Sequence, residues 1–134
     1  MRSLAVPIGV LAAPLLAAFF GFVGWNKAFA PLEELARHRV WTLALPEPAG
    51  RLIGWSELLL AAGLLAFLVP ARRKLASASA ALLFLNQIAA AAVHAFRHES
   101  AAMLQNALLI VLLALVAWTG WATAITEKDG KDLR

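Results

Sequence analysis

Four stretches of the chain are long, apolar and nearly free of charge, and no other feature limits the fold so strongly. They run from Ser3 to Asn26, from Leu52 to Val69 around the single acid Glu57, from Leu75 to Phe96, and from Ser100 to Thr126. At about 1.5 Å of rise per residue, each can cross a hydrocarbon layer of roughly 30 Å as a helix, the second only just. Lipid offers backbone N–H and C=O groups no water, so such blocks must satisfy them internally, as helices do. The predicted fold is all-α: an antiparallel bundle of four transmembrane helices at about 4–27, 52–69, 75–96 and 101–124, with a short amphipathic helix between the first two at about 31–44. Residues 1–126 form one membrane domain, and residues 127–134 a short, charged, frayed tail.

Composition excludes the soluble alternatives. The 134 residues are 62% hydrophobic and 15% charged, where soluble domains are about 45–50% apolar and about 25% charged. A soluble domain of this size has too little interior for so much hydrocarbon. Cysteine is absent, which removes disulfides, thiolate nucleophiles and thiolate-held Fe–S clusters. The net charge of +4 comes from basic residues beside the apolar blocks. Topology explains them there, and no nucleic-acid partner is expected.

The first block follows Arg2 but reaches Lys27 without a polar segment or a small-residue cleavage site, so it is read as a retained span. Four spans put both termini on the side of the turn Pro70-Ala71-Arg72-Arg73-Lys74. With Arg2, Lys128, Lys131 and Arg134, that side has seven basic residues; Lys27, Arg37, Arg39, Arg51 and Arg97 give the other side five. Both termini are therefore expected in the cytoplasm. Trp25 and Trp55 at one face, and Trp118 and Trp121 at the other, suit interfacial belts.

The outer segment holds Pro31, suited to a first helical turn, and Glu33 and Glu34, suited to its positive end. Pro46 and Pro48 are expected to stop this helix, and Gly50 to turn the chain into the second span. In the first span, Gly9, Ala13, Ala17 and Gly21 recur every four residues, a ladder against which another helix can pack closely.

Polar residues gather in the outer half. Lys27 ends the first span. Glu57 lies about 7 Å into the second, counted at the helical rise from Leu52. His94 and His98 end the third, and Gln105 and Asn106 open the fourth. Gln87, His94 and His98 fall within about 40° of one another around the third helix, with Asn86 beside them. An ionisable group within a span is costly unless paired, so Glu57 is expected to face Lys27, His94 or Arg97.

Each residue also has a bland reading. Glu57 can be one half of an ion pair locking two helices, and Lys27 can snorkel to the headgroups. His94 can bridge helices, Asn106 and Gln105 can join them by hydrogen bonds, and His98 can be interfacial. Two histidines at one end of one helix suit neither a bis-histidine haem nor a metal centre, and no metal is expected. The site these residues could make is a small pocket floored by Phe19, Phe22 and Phe84 that suits a quinone ring. Its carbonyls would accept from imidazole or ammonium.

Several segments resemble the DoxX-like membrane proteins: Gly21-Phe22-Val23-Gly24-Trp25-Asn26-Lys27, Arg51-Leu52-Ile53-Gly54-Trp55-Ser56-Glu57-Leu58, Ala92-Val93-His94 and Gln105-Asn106-Ala107-Leu108. The resemblance extends from about residue 11 to residue 121. Carried over by position, Lys27, Glu57, His94 and Asn106 are that family's polar pattern. The resemblance implies a four-helix protein of the bacterial inner membrane, in a family named after a subunit of an archaeal thiosulfate:quinone oxidoreductase. The missing cysteines argue against transferring sulfur oxidation. Three roles are compatible with this reading: an accessory subunit of a quinone-linked redox complex, a non-catalytic interaction or assembly protein that pairs or self-associates, and a small transporter. Polar residues confined to one half count against the last.

Overall fold

The computed structural model describes residues 2–132, with side chains for residues 4–126. Helix α1 spans Arg2–Phe29, α2 Leu32–Arg37, α3 Glu47–Leu64, α4 Arg73–Phe96 and α5 Ser100–Asp132. Short 3₁₀ turns lie at Trp41–Ala44, Leu65–Leu68 and Pro70–Arg72. Segments within α1, α3 with its following turn, α4 and α5 are long and apolar enough to cross a membrane. Their outward residues, among them Leu11, Leu15, Phe22, Leu59, Leu85 and Leu104, are exposed as hydrocarbon is to lipid. The protein is an all-helical, multi-pass membrane protein. Arg2, Lys128 and Lys131 lie outside the described side chains and Arg134 outside the described backbone. The bundle has a loop end, with residues 30–46 and the α4–α5 turn, and a terminal end, with the start of α1 and the end of α5.

The helices form two tight pairs, α1 with α3 and α4 with α5, joined along looser α3/α4 and α1/α5 seams. Apolar burial does not drive helices together in lipid, so close packing must come from small residues and interhelical hydrogen bonds. Both are present. A Cβ added to Gly24 would lie 2.9 Å from the Gly54 carbonyl oxygen, and one on Gly54 would lie 2.6 Å from the Ala28 nitrogen. In the second pair, Gly120 lies against the Arg73 carbonyl, and the Ser77 hydroxyl donates to the Ala117 carbonyl. Phe67 closes the terminal end, packed into the space left by Gly9 and close to Gly120. The core between the pairs is Ala13, Leu16, Phe20, Leu64, Leu83, Leu113 and Val116.

The structure corrects the sequence reading at five points. The loop segment is not one helix over 31–44: α2 stops at Arg37, Arg39 takes a left-handed φ of 50°, and a separate 3₁₀ turn follows. Pro46 and Pro48 begin α3 rather than ending its predecessor, because a first helical turn needs no proline N–H. The second long helix therefore starts at Glu47, not near Leu52. Gly50 is inside it, giving room to Thr42 instead of making a turn. Gly21 faces open space, so the small-residue ladder of α1 ends at Ala17 and resumes at Gly24. The frayed tail is replaced by helical backbone as far as Asp132.

Candidate functional site

The approach of Gly24 to Gly54 sets the geometry of the ionisable layer. It places Lys27 against α3, one turn from Glu57, and the Lys27 Nζ donates to Glu57 Oε1 at 2.6 Å. Both side chains are buried. Lys27 thus reaches inward, opposite to snorkelling. Asn86 of α4 donates its Nδ2–H to the same oxygen, also at 2.6 Å, so three long helices meet at one carboxylate atom. Glu57 Oε2 is buried with no partner among the described residues.

Other groups hold Lys27 in place. The indole of Trp41, carried on the 3₁₀ turn, lies 5.4 Å from the ammonium, a cation–π contact. Arg51 Nη1 donates to the carbonyls of Lys27 at 3.0 Å and Ala30 at 2.7 Å, satisfying the C-terminal end of α1 with a positive charge. Glu47 accepts from the same guanidinium.

His94 does not meet Glu57. Its Nδ1–H donates to Glu99 across the α4–α5 turn at 2.5 Å. That hydrogen bond holds the Glu99 carboxyl below its ordinary value of 4.5. Burial pushes the other way, and the positive charges of His94, Arg97 and Arg39 add to the lowering. Arg97, another expected partner of Glu57, instead reaches toward the carbonyls of Arg39 and Val40 at 3.5 Å. His98 sits in the same turn with a φ of 57°, exposed.

Where α1 and α5 separate near the loop end, a cavity of about 420 Å³ lies between the helix pairs. Lys27, Gln87, His94, Gln105 and Asn106 line it, with Phe19, Phe22, Val23 and Leu109 as apolar walls and residues 34–35 and 38–41 as a cap. Of the expected aromatic floor, Phe84 is elsewhere, packed against the core. Glu57 and Asn86 stand behind Lys27 and do not line the space. Trp41, which sequence reasoning did not single out, does.

Three cavity residues carry buried polar atoms without a partner among the described residues: Trp41 Nε1, Gln87 Oε1 and Asn106 Nδ2. Leaving such a group unmet costs about 1–3 kcal/mol, a cost that a ligand or water hydrogen-bonded to it would offset. Two are N–H donors and one an acceptor. Lys27 has two further N–H groups beyond the one given to Glu57.

No curated protein matches the chain significantly, nor does any solved structure. The sequence profile of the DoxX-like family matches residues 11–116, a stretch that takes in Lys27, Glu57, His94 and Asn106 and the whole lining of the cavity. The chain belongs to the DoxX-like family.

Proposed function

We propose that the protein is an accessory subunit of a quinone-linked membrane redox complex and that the loop-end cavity holds the quinone head. One observation carries this reading: Lys27, Trp41 and Asn106, each with an N–H group to give, line a cavity that Phe19, Phe22 and Leu109 also wall. A quinone head is a flat apolar ring with an acceptor oxygen at each end, and it needs this combination of walls and donors. Gln87 Oε1, the buried acceptor, suits the hydroxyl of the reduced head. When bound, a quinone carries electrons and protons between proteins. The residues of this chain bind the ring, orient its oxygens and keep bulk water from them. The chain has no cysteine and so no thiol chemistry of its own. With the Arg72-Arg73-Lys74 turn on the cytoplasmic side of a bacterial inner membrane, the cavity lies toward the opposite face.

Native mass spectrometry of protein extracted gently from its own membranes, with quinone identification on the same sample, tests the reading. The expected result is a stoichiometric quinone together with a redox partner, and loss of the quinone in Asn106→Leu. Protein found alone or self-associated, carrying only phospholipid, overturns it.

A further inference from the structure

We infer that the ligand of the loop-end cavity has a long apolar tail, and that this tail leaves between α1 and α5 along a groove in their seam. The inference rests on reading the cavity as a site for a quinone head. A second hollow of about 380 Å³ lies on this seam, and every residue lining it is apolar. Phe19 and Leu109 belong to both hollows, so the polar cavity and the apolar groove adjoin at these two side chains. Ala12 and Leu109 are buried in the groove, while Leu11 and Leu15 stand exposed at its edge. Its α1 wall extends from Ile8 to Phe19, a rise of about 16 Å.

The other seam has a different character. Between α3 and α4, Gly63 is in close contact with Ser79. The lipid side of α1/α5 is therefore the apolar approach to the donors of the cavity. Transfer from bilayer to groove gives a tail little hydrophobic gain, since lipid is as apolar as leucine. The groove acts through packing contacts along the tail, which keep the head at the cavity mouth once it arrives.

The test uses the full chain in nanodiscs and two probes with the same benzoquinone ring, one without a tail and one with a long isoprenoid tail. Affinities are expressed as mole fraction in the lipid, which removes simple partitioning. The tailed probe is expected to bind about tenfold more tightly. In Leu11→Trp/Leu15→Trp, whose indoles fill the groove from its exposed edge, the ratio of the two affinities should collapse toward one. Equal binding of both probes to the unmodified protein overturns the inference and leaves the head site standing. So does a tail advantage that survives in the filled variant, which would place the tail elsewhere. Binding of neither probe overturns the proposed function, and the groove assignment falls with it.

Discussion

Gly54 lies so close to Ala28 that a methyl group added to the glycine would sit 2.6 Å from the alanine nitrogen. The ion pair of Lys27 and Glu57 depends on that approach, because the crossing point of α1 and α3 fixes the distance between the two side chains. The neighbours of the added methyl are two backbone atoms and the Lys27 Cβ, which is fixed to the backbone, so none can swing aside.

Gly54→Ala should therefore force the helix pair apart and destabilise the protein by about 1–3 kcal/mol, the usual cost of overpacking. Gly21→Ala is the control. Its Cβ meets nothing within 4 Å, and the gain in helix propensity should leave stability equal or slightly higher. Thermal unfolding of both variants in one detergent, followed by tryptophan fluorescence, checks the contrast. Equal losses would show that the close approach does not matter.

Removing one member of a buried ion pair strands the other. Glu57→Leu leaves the Lys27 ammonium and the Asn86 amide without their common acceptor, and should cost about 3–5 kcal/mol. Lys27→Met/Glu57→Leu should recover much of that loss. A double-mutant cycle on unfolding free energies measures the coupling, and simple additivity would mean that the two groups do not interact.

The unmet polar atoms of the cavity predict a trade between stability and binding. Asn106→Leu removes a buried donor that has no partner among the described residues, and should stabilise the ligand-free protein by about 1 kcal/mol. The same substitution should weaken quinone binding. Calorimetry in the absence of ligand and a binding titration on the same preparation give both signs; a variant less stable and equally good at binding would contradict the assignment.

Acid should loosen the α4–α5 turn. The carboxyl of Glu99 is held below its ordinary 4.5 in the folded protein, chiefly by the His94 hydrogen bond. Its contribution is therefore complete above pH 4.5 and disappears as the pH falls through the lower folded value. Hydrogen-exchange protection at Arg97 and His98, taken relative to the intrinsic rate at each pH, should fall over that acid range, and Glu99→Gln should abolish the dependence. An identical acid response in the variant would assign the effect to another group.

The four long helices were legible because block length and absence of charge leave lipid-spanning chain few alternatives. The Lys27–Glu57 pair was legible because neither charge can be left alone at depth. The partner expected from His94 was lost through a boundary. Counted from Leu52, Glu57 lies near the loop end; counted from Glu47, where Pro48 allows α3 to begin, it lies about 15 Å in. Asn86 is equally far from the end of α4 at Phe96, so it meets Glu57, while His94 stays near the surface and turns to Glu99. Trp41 gave no sign in sequence. Only the break at His38–Val40 brings the 3₁₀ turn back over Lys27.

The pairing of the helices also bears on the order in which the molecule comes into being. Each tight pair joins long helices that are successive along the chain, α1 with α3 and α4 with α5. The first pair can settle in the bilayer while the second is still being synthesised, since it needs only local contacts. The cavity is different, because α1 supplies one wall and α4 and α5 the others. Its walls come together only when the halves close on each other, so the cavity is the last part of the fold to exist and the first to go when the halves separate.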